Sequence, residues 1–167
     1  MVEDLVEASK ASSGNLPGEL APGNIGVLLN QVLGEFDEKF KNADLTPVIK
    51  MQDENITVLA DGRHLWRVFD NLLGNVCKYA MRGTRVYITV TDNAKRTEII
   101  FRNISKYELN VTADELMERF VRGDKSRNTE GHGLGLSIAR SLLELQIGQL
   151  KLDIDGDLFK ATVIFEK

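Results

Sequence analysis

The apolar pattern switches from helical to alternating within a few residues of Ala80, and that switch narrows the possible folds more than any other feature. From Asp61 to Ala80, Leu65, Phe69, Leu72, Leu73 and Val76 fall on one helical stripe. Directly afterwards Val86, Ile88 and Val90 alternate with polar residues, Asp92-Asn93 turns the chain, and Glu98–Ile104 returns. That is the signature of a hairpin. The same succession closes the chain: a helix from Gly135 to Gln146, then Leu150, Leu152 and Ile154, a turn at Asp155-Gly156-Asp157, and a strand from Leu158 to Phe165. Upstream, Ile25, Leu28, Leu29, Val32, Leu33, Phe36 and Phe40 predict one helix capped by Asn24, followed by short β-prone runs at Thr46–Ile49 and Ile56–Leu59. Antiparallel hairpins interspersed with amphipathic helices predict an α+β fold, a two-layer sandwich whose mixed sheet is covered on one face by helices.

The chain has 167 residues, 21 Lys+Arg against 25 Asp+Glu, one Cys and two His. The length suits a single domain of about 100–200 residues. A lone Cys77 allows no internal disulfide and no thiolate metal cluster. The net charge of -4, with no basic block, argues against nucleic acid as a partner. No apolar run reaches the ~18 residues of a membrane span, so a soluble cytoplasmic chain is expected. Residues 1–13 read as the end of a helix, residues 14–23, with Pro17 and Pro22, as a linker, and residues 24–167 as the domain proper. Between Ser105 and Gly133 the chain is polar, with a short helix expected at Thr112–Phe120. A loop of that length in a compact domain is usually a lid or binding segment.

Asn71, Asn75 and Lys78 stand at i, i+4 and i+7, so they project from one side of the Asp61–Ala80 helix, with Arg67 a turn earlier. Asn is a poor helix former. Two amide oxygens one turn apart suit a hard cation such as Mg²⁺, which keeps waters and phosphates as further ligands, while a lysine beyond them meets phosphate charge. A solvated polar face has the same spacing. The string Gly131-His132-Gly133-Leu134-Gly135-Leu136 opens an apolar helix. Glycines there let N–H groups turn toward an anion at the helix N-terminus, and they would equally serve a hinge.

Taken in order, these segments resemble a known family. Arg67 to Tyr79 (RVFDNLLGNVCKY) is similar to the N box of bacterial sensor histidine kinases, Glu118 to Ser126 (ERFVRGDKS) to their F box, and Gly131 to Leu136 to their G2 box. The resemblance covers residues 24–167. It implies the ATP-binding catalytic domain, a Bergerat-type sandwich with a long ATP lid, binding Mg-ATP and donating the γ-phosphoryl to a histidine on a separate dimerisation domain. By that resemblance Asn75 is the main Mg²⁺ ligand, with Asn71 beside it. Asn71 stands where water-hydrolysing relatives keep a glutamate, and an amide cannot act as a base. Lys78 and Arg122 neutralise phosphate oxygens, Tyr79 lies near the base or sugar, and Gly131, His132, Gly133, Leu134 and Gly135 form the closing lid. The implied partners are the dimerisation and phosphoacceptor domain of a homodimeric, membrane-anchored parent, of which residues 1–13 are a remnant, and a response regulator. This chain alone is expected to be a monomer.

One motif departs from the family pattern. The G1 box, Asp-x-Gly-x-Gly, is represented by Asn103-Ile104-Ser105-Lys106-Tyr107, with neither glycine and with Asn103 in place of the adenine-reading aspartate. Two other readings therefore stand beside the kinase domain: an interaction module that binds no nucleotide, and a serine kinase of the anti-sigma type. His64 and His132 lack a phosphoacceptor context and are expected at the surface, with Trp66 and Cys77 as packing residues.

Overall fold

The computed structural model describes residues 19–109 and 134–167. Strand β1 (Ala21–Asn24) leads into helix α1 (Ile25–Glu35), then α2 (Asp37–Asn42), β2 (Leu45–Met51), β3 (Thr57–Ala60) and helix α3 (Gly62–Tyr79). The hairpin β4 (Thr84–Asp92) and β5 (Arg96–Ile104) follows, and after the undescribed residues come α4 (Leu134–Leu145), β6 (Gly148–Asp155) and β7 (Leu158–Glu166). Five strands form one mixed sheet in the order β2-β4-β5-β7-β6, in which β2 and β4 run parallel and every other pair is antiparallel.

The alternation read in the sequence now acquires a direction. Val86, Ile88 and Val90 on β4, Ile99 and Phe101 on β5, and Phe159, Ala161, Val163 and Phe165 on β7 are all buried. Register places Ile88 opposite Phe101 and Phe101 opposite Ala161, so these residues share one face of the sheet. Helix α3 lies on that face, where the Phe69 ring meets Phe101 at 5.8 Å between centroids and 50° between planes. Helix α4 packs along α3. The α+β sandwich with helices on one face of a mixed sheet is thus observed.

Two local features differ from expectation. The single helix predicted across Phe40 breaks at Phe36, whose N–H is shared between the carbonyls of Val32 and Leu33 at 3.1 Å. The apolar period survives the break because Phe36 and Phe40 both stay buried, their rings 6.1 Å apart. Asp37 and Glu38 open the new helix and Lys39 and Lys41 close it, charges that suit its dipole. Secondly, Ala21–Gly23, assigned to the linker by composition, are strand: β1 pairs with β3, Pro22 opposite Leu59. Proline is tolerated there because a two-stranded ribbon is all edge. The helix expected at Thr112–Phe120 lies outside the described residues, as do residues 1–18.

Asn24 caps α1 as expected, its side chain accepting from the Val27 N–H at 3.0 Å. The turn between β6 and β7 places Gly156 at φ 62°, where glycine is unstrained. Ile147, between α4 and β6, adopts φ 60° although it is β-branched, and it is 79% exposed. A left-handed L-residue costs ~1–2 kcal/mol, and nothing buried is gained by the side chain in return. Ile147→Gly is therefore expected to stabilise the chain by about 1 kcal/mol, net of the extra unfolded-state entropy of glycine. A higher urea midpoint at unchanged slope is the result that checks this.

Candidate functional site

Asp61 fixes the start of α3. Its Oδ1 accepts from the N–H groups of Arg63 at 3.0 Å and His64 at 3.3 Å, and its Oδ2 from Glu19 N–H at 3.0 Å. The Asp61 N–H in turn donates to Gln146 Oε1 at 3.0 Å, while Gln146 Nε2 donates to the Leu142 carbonyl at 3.0 Å. One buried carboxylate and one buried amide thereby tie the incoming chain, the start of α3 and the end of α4 together. His64 belongs to this node. Expected at the surface, it is only 8% exposed, with Nδ1 3.9 Å from Asp61 Oδ2. The reason is that α3 packs on β5 below and on α4 beside it, so its buried stripe is wide enough to include Val68 and His64.

Burial pushes the Asp61 carboxyl up. The N–H groups of Glu19 and His64, the His64 charge and the Arg63 N–H oppose it, and together hold the group below its ordinary 3.8. A depressed carboxylate contributes stability that is full above the unfolded value and is lost as pH falls through the folded one. The chain is accordingly expected to lose stability below about pH 4. Asp61→Asn, which keeps a capping oxygen, should make that acid limb shallower. Asp92, also lowered, by Lys167 at 2.8 Å and the Thr97 hydroxyl at 2.6 Å, acts in the same direction. Urea midpoints of both proteins across the acid range measure the difference.

The far end of α3 is stitched to the segment that follows β5. Met81 N–H donates to the Ile104 carbonyl at 2.7 Å and Lys106 N–H to the Tyr79 carbonyl at 2.9 Å. Ser105 N–H donates to the Asp157 carbonyl at 2.7 Å, and Ala80 bridges Ser105. Helix α3 therefore runs along β5 with two fixed points, Phe69 on Phe101 and the Tyr79–Met81 end against Ile104–Lys106. Asn103 lies between them, the last residue of β5 on the helix-covered row. It is 4% exposed, and its Oδ1 is buried without a hydrogen-bond partner. Ser105 is buried and its Oγ accepts from Tyr107 N–H at 3.1 Å, whereas the Tyr107 side chain stands 61% exposed and so does not plug the fold.

Between these ends runs the polar stripe. Asn71, Asn75 and Tyr79 are half-buried and Lys78 is exposed. Arg67, expected with them, directs Nη1 to Asp70 Oδ2 at 3.0 Å. Asn71 Nδ2 is buried without a partner. The first turn of α4 comes down on this residue: a Cβ added to Gly135 would lie 3.7 Å from the Asn71 carbonyl oxygen and from its Oδ1, an ordinary contact. Packing therefore does not demand glycine at 135. Leu134 begins the α4 backbone. Arg122, Gly131, His132, Gly133 and the Glu118–Ser126 motif lie outside the described residues.

Sequence reasoning missed Gln146, and it named Ser105 in the altered G1 segment without its burial, since neither residue stands in a pattern that announces burial. Trp66 and Cys77 pack against the core as expected. Burial pushes the Cys77 thiol up to about 11, with only weak opposition from the Lys39 charge, so it is not a thiolate at neutral pH. Among the described residues no cluster of His, Cys, Asp and Glu could hold a metal ion, and no helix is long and apolar enough to cross a membrane.

Known proteins share this arrangement. BaeS, a signal transduction histidine-protein kinase of Escherichia coli (strain K12), is 31% identical over 152 residues, which is 90% of this chain and 32% of BaeS. The chain thus spans about a third of that relative. Among solved structures, the catalytic domain of histidine kinase ThkA superposes with a TM-score of 0.77 at 23% identity, covering 89% of this chain and 96% of that one. ThkA has also been solved in complex with response regulator protein TrrA. Full-length ShkA in complex with AMPPNP gives 0.79 at 21% identity, covering 98% of this chain and 34% of that one. The family model described as histidine kinase-, DNA gyrase B-, and HSP90-like ATPase matches residues 60–166, from the end of β3 through β7. The chain belongs to that family.

Proposed function

We propose that this chain is the ATP-binding catalytic domain of a sensor histidine kinase, holding Mg-ATP along α3 and presenting its γ-phosphoryl to a histidine on a separate dimerisation domain. The observation that carries the reading is a pair of buried, unpartnered amide atoms, Asn71 Nδ2 and Asn103 Oδ1, at the two places where the family's nucleotide would contact α3 and β5. A buried polar atom left unpaired costs ~1–3 kcal/mol, and a bound nucleotide supplies the missing partners. The AMPPNP in ShkA and the family's ATPase description support the same ligand.

In this reading Asn103 Oδ1 accepts from the amino group of the base, and Tyr79 lies beside base or sugar. Lys78, exposed at the end of the stripe, and Arg122 meet phosphate oxygens. Gly131, His132, Gly133, Leu134 and Gly135 close over the phosphates, the N-terminus of α4 adding its positive end. The donor set also fits Mg²⁺. Asn75 and Asn71 offer neutral amide oxygens, suited to a hard ion that retains waters and phosphates rather than to one caged by protein carboxylates. When bound, that ion neutralises phosphate charge. Asn71, being an amide, accepts no proton from water, so the bound ATP is kept for transfer. The chain supplies position and electrostatics, and the nucleophile belongs to the partner histidine.

A response regulator is the expected second partner, as in the ThkA–TrrA complex, within a parent that is dimeric and membrane-anchored. In this reading residues 1–13 belong to the end of the dimerisation helix, the linker shortens to residues 14–20, and the catalytic domain takes in β1, whose Ala21–Asn24 pair with β3. The test is twofold. Calorimetric titration with AMPPNP should show micromolar to sub-millimolar binding in Mg²⁺ and much weaker binding in EDTA. Incubation with labelled ATP and a histidine-bearing dimerisation domain should give an acid-labile phosphoprotein. An acid-stable product would indicate serine, and no heat at millimolar ligand from folded protein would make the chain a nucleotide-free docking module.

A further inference from the structure

The base-reading position carries chemistry that the proposed reading does not use. A carboxylate is acceptor-only, so at this position it pairs with an amino group on C6 of a purine and repels a carbonyl there. Asn103 presents an acceptor and a donor on one planar group. Rotating its second side-chain torsion by half a turn exchanges the two, and that torsion is broad and two-fold for asparagine. With Oδ1 toward the amino group of adenine, Nδ2 faces the acceptor N1. With the amide turned, Nδ2 donates to a 6-carbonyl and Oδ1 accepts from the N1–H beside it. The fold supplies no donor to Oδ1, which is buried and unpaired, so no hydrogen bond to that oxygen holds the amide in the orientation observed.

We propose that Asn103 leaves the 6-position of the base undiscriminated, so that the site takes 6-oxopurine nucleoside triphosphates alongside ATP. This rests on the nucleotide site proposed above. The side chain at 103 is then a specificity determinant, and its replacement of an acceptor-only group widens the substrate class to purine triphosphates of both 6-substituents.

The probe is the Mg²⁺ complex of the β,γ-imido analogue of inosine triphosphate, which carries the 6-carbonyl without the additional 2-amino group of guanine, titrated beside AMPPNP. The wild-type chain should bind the two within about threefold of each other. Asn103→Asp should open a preference for adenine of about tenfold or more, the effect of setting a charged acceptor against a carbonyl in a buried site. Asn103→Ala, which removes donor and acceptor together, should weaken both nucleotides by the same factor and leave their ratio near one. A wild-type preference for adenine above about tenfold would overturn the inference and leave the ATP site standing. Failure of both nucleotides to bind the folded chain would overturn the site reading and this inference with it.

Discussion

Asn75→Ala should lower the affinity for Mg-AMPPNP by about a hundredfold or more, and its residual binding should be indifferent to EDTA. The magnitude follows from metal sites, where even outer-shell changes cost ~10–100-fold in affinity, and Asn75 is proposed as the main protein ligand. Asparagine is a poor helix former and alanine the best, so the substitution should not weaken α3. The half-buried position opens no core cavity. Loss of binding will therefore report on the ion and not on folding, which thermal melting of the same samples can establish. Asn75→Asp provides the complement. A carboxylate is also a hard oxygen ligand, so Mg²⁺ dependence should persist in that variant. Undiminished, Mg²⁺-dependent binding by Asn75→Ala would remove Asn75 from the metal site and leave Asn71 as the one α3 ligand proposed here. A role for Asn75 confined to solvation of the helix surface predicts that outcome.

What could be read from the sequence divides along the range of the interactions concerned. The Asn24 cap, the Leu65–Val76 stripe and both hairpins are encoded within a few residues, and period alone recovers them. The break at Phe36 was hidden because Phe36 and Phe40 keep helical spacing across it. Strand β1 was hidden for another reason. Ala21-Pro22-Gly23 is a breaker sequence everywhere except on an edge, and only the partner strand β3 makes it one. The Asp61–Gln146 bond joins residues 85 apart in the chain, and no local pattern announces such a pair. His64 was misread on the same account, since its burial depends on α4 lying against a flank of α3 that local periodicity treats as open.

For the site, the stripe Asn71, Asn75 and Lys78 was legible because α3 is long and regular enough for spacing to fix a face. The condition of Asn71 and Asn103 was not legible. That an amide is buried and unpaired is a property of three elements meeting, α3, β5 and the first turn of α4, and it appears only once the sheet order is known. The altered G1 segment is similar. Sequence shows that its glycines are missing, but only the fold shows Ser105 turned in against the β6–β7 turn and Tyr107 turned out.

Phe69→Ala should produce the largest loss of stability, and the loss should not be recoverable by ligand. Phe69 is fully buried, and its ring forms the contact that aligns α3 on β5. Truncating a buried phenylalanine costs ~3–5 kcal/mol, the transfer term plus the cavity left behind. Domains of this kind have only ~5–15 kcal/mol in total, so the melting temperature should fall by roughly 6–20 °C. The same ring lies under the stretch of helix that carries Asn71 and Asn75, which connects the core to the site. A ligand that binds only folded protein stabilises it by about 2.7 kcal/mol at a hundred times its Kd. If the polar stripe keeps its alignment in the variant, Mg-AMPPNP should raise the melting temperature of Phe69→Ala about as much as that of wild type. If the contact with Phe101 sets the stripe, wild type should respond and the variant should not, although both are folded at the start of the melt. The latter is the expected result, because the Phe69–Phe101 contact helps seat α3 on β5, and losing it frees the helix to shift against Asn103.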